Sequence, residues 1–230
     1  TTTNGCGLPI ASGVTTQTIM INGIQRSYLL VIPSTYNPSI AGNLVIAWHG
    51  ANGSGTTMRG NNVEYILPAQ IYVYPNGVIQ AWNNNQIGWD LQTNGADMAF
   101  YDALLVQLNN QFCLDMTRIV HYGFSMGGYQ VNLLACVRSN TVRAAAVIEG
   151  ALPDSAVGCS SKVPYLAKVN DDDNGVFAVN QLIAKDLWKG IDTCSSTYTL
   201  WLQRSITYNS SCVIYDNCFV GYPVVLCEYA

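Results

Sequence analysis

A serine inside a glycine-rich hexapeptide is the residue of this chain best suited to covalent chemistry. The hexapeptide, Gly123-Phe124-Ser125-Met126-Gly127-Gly128, ends the apolar segment Arg118 to Phe124, a predicted strand, and opens a predicted helix that runs to about Val137. Small residues two positions before and after the serine allow a sharp strand-to-helix turn that exposes its hydroxyl. The motif alone occurs by chance in many chains, but this context is the one that the mechanism requires. The sequence therefore predicts Ser125 as a nucleophile.

A serine hydroxyl needs a base, most often an imidazole, before it can attack an ester or amide carbonyl. The chain has two histidines, His49 and His121, and both precede Ser125. His121 comes four positions before Ser125 on one predicted strand, about 13 Å away at ~3.3 Å per residue, so we expect a core histidine. His49 has no predicted acid behind it, and we expect it to border the cleft and contact a ligand instead of serving as the base.

A glycine-rich segment earlier in the chain predicts the second part of a catalytic site. His49-Gly50-Ala51-Asn52-Gly53-Ser54-Gly55 follows a short apolar run, Leu44 to Trp48, that is typical of a buried parallel strand. Such a loop can direct a backbone N–H at a developing oxyanion, and the residue after the nucleophile supplies a second donor. We predict Ala51 and Met126 as these donors. The alternative is a glycine turn without a catalytic role.

The composition excludes several classes of function. Charged residues make up 10% of the chain, against about 25% in an average globular protein. A net charge of −4 and a pI near 4.9 argue against nucleic-acid binding, which needs basic patches. No apolar run approaches the ~18 residues of a membrane span. The sequence has no metal-ligand cluster, phosphate loop or nucleotide fingerprint, so we expect no metal and no cofactor.

Cysteine usage indicates an oxidising compartment. The 8 cysteines contain no C-x-x-C pair, which favours disulfides over metal ligands. Asn52-Gly53-Ser54 and Asn209-Ser210-Ser211 are possible glycosylation sequons, a weak signal. The first residues, Thr1 to Asn4, have no basic or apolar leader, and we expect a mature terminus after signal removal. These features predict a secreted, extracellular protein.

The hydrophobic pattern predicts one α/β domain over residues 1–230, with a mostly parallel sheet and helices on both faces. Asn22-Gly23 predicts a hairpin between two β-rich segments, and a loop rich in Asn, Gly and Trp is expected over about 78–95. The predicted strands are Thr15–Ile21, Ile24–Pro33, Leu44–Trp48, Ile71–Tyr74, Arg118–Phe124, Ala144–Ile148, Val163–Val169, Tyr198–Tyr208 and Tyr222–Cys227. The predicted helices are Asp97–Phe112, the segment from Ser125 to about Val137, and Asn180–Lys189.

Taken together, these motifs resemble one family. The resemblance extends from Cys6-Gly7 to Cys227 and rests on His49-Gly50, Gly88-Trp89-Asp90, the helix after Asp97, the serine hexapeptide and Gly221-Tyr222-Pro223-Val224-Val225. The chain resembles the secreted carbohydrate esterases of family 1, which include fungal feruloyl and acetyl xylan esterases and relatives of polyhydroxybutyrate depolymerases. The resemblance implies an α/β-hydrolase fold, a Ser-Asp-His triad and ester hydrolysis on plant-wall polysaccharides. The family register also implies the pairs Cys194–Cys218 and Cys212–Cys227.

The resemblance also implies the position of the triad acid. Asp173-Asn174-Gly175-Val176 follows the predicted strand Val163–Val169 and matches the end of the family's acid motif, so Asp173 is predicted as the acid, with Asp172 as the alternative. Val169-Asn170 replaces the His-Gly that usually precedes this motif. The competing interpretation is a solvated acidic turn.

The triad histidine is the second departure from the family. Relatives follow the last strand with Gly-Gly-His, whereas this chain stops at Glu228-Tyr229-Ala230. Loss of the triad histidine of a serine hydrolase costs on the order of a millionfold in kcat. We therefore expect a catalytically silenced, lectin-like protein that binds glycans in its former substrate cleft. The alternative is an active feruloyl or acetyl xylan esterase, which needs another base or a longer C-terminus.

Aromatic and amide side chains near the predicted cleft are candidates for glycan contacts. Trp89 offers a ring for stacking on sugars, and Asn83 and Asn84 offer amides that bond hydroxyl groups. Aromatic residues are also common in protein cores. The aromatics of the loop between Val78 and Gly95 are therefore predicted either as ligand contacts or as core residues. Weaker candidates of the same kind are Trp82, Asn85, Gln86, Tyr65, Tyr72 and Tyr74.

Overall fold

A large central sheet organises the chain in the computed structural model, which describes residues 3–80, 83–170, 176–203 and 210–229. Ten strands lie in the order β1-β2-β4-β3-β7-β8-β9-β12-β11-β10. The inner strands from β4 to β12 are parallel, and antiparallel strands flank them at both edges. The strands are β1 Gly13–Ile21, β2 Ile24–Ile32, β3 Gly42–Trp48, β4 Ile71–Pro75, β5 Val78–Gln80, β6 Gln86–Gly88, β7 Leu114–Phe124, β8 Ala144–Ile148, β9 Tyr165–Asn170, β10 Tyr198–Gln203, β11 Ser210–Tyr215 and β12 Val224–Tyr229.

Within the described residues, five α-helices cover the two faces of this sheet. They are α1 Gly55–Arg59, α2 Val63–Ile66, α3 Ala96–Gln111, α4 Met126–Val137 and α5 Val176–Ile191. One face packs against α3, α4 and α5 in the larger hydrophobic cluster, and the other packs against α1 and α2 in a smaller one. The β3 residues divide between the two faces, with Ile46 and Trp48 on the first and Val45 on the second. The predicted mostly parallel sheet with helices on both faces is confirmed.

Local chain chemistry explains the best-predicted elements. Asn22 and Gly23 adopt φ values of 50° and 80°, as a two-residue hairpin turn between twisted strands requires. The turn pairs Ile21 with Ile24 and sets the register of β1 against β2. Inner strands such as β3 are apolar on both faces because both faces are covered.

Short elements were missed by the sequence prediction. The segment expected as a loop contains a small hairpin of β5 and β6. The helices α1 and α2 and the strand β11 were also not predicted. The two helices span five and four residues, about one turn each, which is too short for a helical period to show. The predicted strand Tyr198–Tyr208 is confirmed up to Gln203, and residues 204–209 lie outside the described part of the chain.

Four disulfides link distant segments, and Cys6–Cys113 ties the N-terminal segment to the body of the protein. Cys194–Cys218 and Cys212–Cys227 form as the family register implied, and the others are Cys6–Cys113 and Cys136–Cys159. The Cys212–Cys227 bridge joins directly paired positions of β11 and β12. Among the described residues, no helix is long and apolar enough to cross a membrane.

Candidate active site

The serine hexapeptide forms a tight turn between β7 and α4. Ser125 lies between the two elements with φ 52° and ψ −120°, a backbone conformation that costs energy for any residue with a Cβ. Its N–H donates to the carbonyl of Ile148 on β8 at 2.9 Å. A Cβ on Gly123 would lie 2.3 Å from the carbonyl oxygen of Gly127, and one on Gly127 would lie 2.0 Å from that of Trp48. The turn therefore requires glycine at both positions.

The glycine-rich loop after β3 lies directly beside this serine. A Cβ placed on Gly50 would lie 3.2 Å from the Cβ of Ser125. Ala51 and Met126 line the same cavity as Ser125. Within the described residues, neither of their backbone N–H groups donates a hydrogen bond to the protein. Both donors are therefore available for charge that develops beside Ser125.

That cavity has a volume of about 570 Å³. Asn83, one of the predicted ligand contacts, lies in its wall with its amide nitrogen 3.8 Å from the sulfur of Met126. Asn84 is exposed and is not part of the lining. The remaining lining residues are Gln86, Asp90, Leu91, Gln92, Tyr129, Leu152, Pro153, Asp154 and Ser155.

Some of these lining residues could have been found from the sequence. Tyr129 comes one helical turn after Ser125, which places both on the same side of α4. Leu152 to Ser155 follow β8, the neighbour of β7, and parallel strands deliver their following loops to the same sheet edge. Nothing in the local pattern of this segment marks it as part of a cavity wall.

Trp89 does not contact this cavity. The side chain is fully buried, and its ring packs edge-on to Trp48 with 4.9 Å between ring centroids. Its indole N–H donates to the carbonyl of His49 at 2.9 Å. The structure therefore does not support the predicted role of Trp89 in ligand stacking. Tyr72 and Tyr74 are buried as well, Tyr65 is exposed but does not line the cavity, and Trp82 lies outside the described residues.

His49 is a buried residue with both ring nitrogens engaged. Its side chain is 1% exposed, Nδ1 donates to the Gly50 carbonyl at 2.7 Å, and Nε2 accepts from the N–H of Gly77 at 2.9 Å. Burial is the main cause that lowers the pKa of His49, and the nearby Arg26 charge lowers it further. A neutral imidazole with these partners has no free nitrogen for the proton of Ser125 or for a ligand. His49 does border a second cavity beside the turn, but because both of its ring nitrogens are engaged, the structure does not support the predicted ligand contact.

His121 lies in the core, as its position on β7 predicted. It has no exposed surface, Nδ1 accepts from the indole of Trp48 at 3.2 Å, and Nε2 lies 3.3 Å from the Tyr101 hydroxyl. Burial lowers its pKa to about 3. Neither histidine of the chain can therefore act as the base for Ser125 in this arrangement.

A second cavity, of about 550 Å³, lies on the Phe124 side of the turn. It shares Ala51 with the first cavity, and it is bordered by the ends of several sheet strands, including Glu149 after β8 and Tyr229 on β12. Two cavities thus flank the nucleophile. The predicted acid, Asp173, follows β9, but it lies outside the described residues and its role stays a prediction.

Comparison with solved structures defines the class of fold. The acetyl xylan esterase from Aspergillus awamori aligns over 93% of this chain and 92% of its own, with a TM-score of 0.71 and 14% identity. A thermostable esterase aligns over 77% of this chain and 52% of its own, with a TM-score of 0.63 and 20% identity. The fold is that of the α/β-hydrolases.

Curated relatives narrow this class to a family. Feruloyl esterase D of Neurospora crassa is 33% identical over 74% of this chain, and feruloyl esterase C of Emericella nidulans is 32% identical over 79%. The chain belongs to the carbohydrate esterases of family 1 within the α/β-hydrolases. It spans 61% of the Neurospora protein and 68% of the Emericella protein. No family model matches the chain.

Proposed function

We propose that this protein is a secreted serine esterase that acts on feruloyl or acetyl esters of plant-wall polysaccharides. The observation that carries the proposal is the strained turn at Ser125, which lies beside Gly50 and next to two backbone N–H groups that have no partner among the described residues. Four disulfides support the extracellular location. The feruloyl esterase relatives and the esterase fold support the choice of substrate.

The mechanism follows from these positions. The Ser125 hydroxyl attacks the ester carbonyl while an imidazole takes its proton, and the N–H groups of Ala51 and Met126 stabilise the oxyanion. Collapse of the tetrahedral intermediate expels the sugar alcohol, which takes up the proton, and leaves an acyl group on Ser125. Water, deprotonated by the same imidazole, then releases the acid. Asp173 is the proposed partner of that imidazole, which has to come from outside His49 and His121.

Rescue by added imidazole tests this proposal. A small base can reach Ser125 through the cavity that Ser125 itself lines, whose volume of about 570 Å³ exceeds the size of imidazole. We expect hydrolysis of p-nitrophenyl acetate and methyl ferulate to rise with imidazole concentration in the 230-residue chain. The Ser125→Ala variant corrects for hydrolysis by free imidazole. Equal rates of the two proteins, with and without imidazole, would contradict the proposal.

A catalytically silent glycan-binding protein is the second candidate function. It is favoured by one observation, the engagement of both histidines in buried hydrogen bonds. In that case the chain binds feruloylated xylo-oligosaccharides without any turnover that depends on Ser125. Asn83→Ala, which changes the cavity wall, should weaken this binding in calorimetry, whereas Asn84→Ala, which changes an exposed neighbour, should not. Equal affinity of the two variants, or no binding at all, would exclude the candidate.

A further inference from the structure

The imidazole of His49 bridges two segments that meet behind the candidate oxyanion site. Its Nδ1–H donates to the carbonyl oxygen of Gly50 at 2.7 Å, and the N–H of Gly77 donates to its Nε2 at 2.9 Å. The Gly77 bond fixes which nitrogen carries the proton, because Nε2 must be the acceptor. Histidine is suited to this place because one rigid ring supplies both a donor and an acceptor.

The Gly50 carbonyl belongs to the same peptide group as the Ala51 N–H. In a planar trans peptide the C=O and the N–H point in opposite directions. A bond that holds the carbonyl therefore also fixes the direction of the N–H. The Gly50 carbonyl also accepts from the N–H of Gly53 at 3.0 Å, so two donors hold it on the side away from the Ala51 N–H.

The bridge is itself anchored in a buried polar network. Gly77 follows Asn76, whose carbonyl accepts from the Arg26 guanidinium at 3.2 Å. Arg26 is paired with Asp97 at 2.6 Å, and both side chains are almost fully buried. Asn76 also accepts the N–H of Gly55 at 2.7 Å through its side chain. The acceptor side of His49 thus rests on a rigid part of the fold.

We propose that His49 is a positioning residue, which sets the orientation of the Gly50–Ala51 peptide and so aims the Ala51 N–H at the oxyanion. This role rests on the proposed esterase function for its catalytic consequence. His49 acts only through the backbone, since neither ring nitrogen reaches a reacting atom. The hydrogen bond to the Gly50 carbonyl orients the Gly50–Ala51 peptide, and the hydrogen bond from the Gly77 N–H holds the imidazole ring in place.

Two substitutions separate the two bonds of the imidazole. His49→Asn keeps a donor near the position of Nδ1, and His49→Gln keeps an acceptor near the position of Nε2. The matched control is His121→Gln, which also replaces a fully buried histidine with two hydrogen-bond partners, but these partners are the side chains of Trp48 and Tyr101 and not a backbone group of the loop. A merely structural role predicts the same losses at both histidine positions.

The first readout is the imidazole-assisted, Ser125-dependent rate at equal concentrations of folded protein. Loss of one oxyanion donor lowers kcat on the order of a hundredfold or more, so we expect His49→Gln to lower kcat at least about tenfold with KM little changed. His49→Asn should retain most of the rate, and His121→Gln should match the wild type. Equal rates of His49→Gln and the wild type would overturn the inference.

The second readout does not need turnover. Amide hydrogen exchange by NMR should show Gly53 losing protection in His49→Gln and Gly77 losing protection in His49→Asn. His121→Gln should leave both amides protected. If no rate depends on Ser125, the esterase proposal fails, and the exchange pattern alone decides whether His49 holds the peptide. Unchanged protection of both amides in both His49 variants would overturn the inference.

Discussion

Replacing Ser125 by glycine should make the protein more stable while removing its nucleophile. Ser125 has φ 52° and ψ −120°, a region that glycine enters freely and that a residue with a Cβ enters only under strain. Its hydroxyl makes no hydrogen bond within the described residues, so the substitution removes no native bond from them. Stability and activity thus have opposite requirements at this position.

The size of the effect follows from two opposing terms. Strain at such a backbone conformation costs about 1–3 kcal/mol, and glycine relieves it. The more flexible unfolded chain of a glycine variant offsets about 0.4–1 kcal/mol of that gain. The difference lies between about 0 and 2.6 kcal/mol, and we expect the free energy of unfolding to rise by about 1 kcal/mol. A gain of this size at a nucleophile is an instance of the trade-off between stability and activity.

The measurement is guanidinium unfolding with the disulfides intact, followed by circular dichroism. Ser125→Ala is the matched control, because alanine removes the hydroxyl and retains the Cβ that causes the strain. We expect the glycine variant to be the more stable of the two, with equal denaturant slopes. A glycine variant no more stable than the alanine variant would refute the reasoning.

Two buried titratable groups make the stability depend on pH with opposite signs. Burial lowers the pKa of His121 to about 3. As the pH falls, the unfolded chain therefore takes up a proton at this histidine near pH 6.5, well before the folded protein does. The stabilisation that the neutral His121 contributes is fully present above that pH and falls by about 1.4 kcal/mol per pH unit below it. Between pH 6.5 and 5, the free energy of unfolding of the wild type should therefore fall by ~2 kcal/mol more than that of His121→Gln, measured by denaturant unfolding. The same pH dependence in both proteins would exclude His121 as the cause. Burial raises the pKa of Asp192 to about 7, and its Oδ2 has no hydrogen-bond partner among the described residues. The stabilisation that the protonated Asp192 contributes is fully present below about pH 4 and is lost as the pH rises through 7. In the same measurement, Asp192→Asn should reduce the loss of stability between about pH 4 and 7. An unchanged pH dependence in this variant would contradict the assignment to Asp192.

The sequence predicted the elements that depend on local chemistry. The Asn22-Gly23 turn, the apolar inner strands and the glycines around Ser125 each require a particular residue type at a fixed spacing, so they can be read without knowing the fold. Cys194–Cys218 and Cys212–Cys227 were predicted from the resemblance to a family. Members of one family share a fold, so their cysteine positions already reflect a three-dimensional arrangement.

Roles that depend on long-range packing were not predictable in the same way. Trp89 and Asn83 both lie in or next to the same polar segment, yet Trp89 turns into the core and Asn83 lines the cavity. Which way each side chain faces depends on Trp48 and Met126, which come from distant parts of the chain. The same limit applies to His49, whose partner Gly77 lies 28 positions away.

The energetics of the site bear on the choice between the two candidate functions. A cleft that only binds glycans needs neither a strained serine nor, beside it, two backbone donors that find no partner in the described part of the chain. Both features lower stability, and both have a use when an oxyanion forms at Ser125. These features favour ester hydrolysis over binding alone. Because neither His49 nor His121 can serve Ser125 as its base, rescue by a free base is the most direct test.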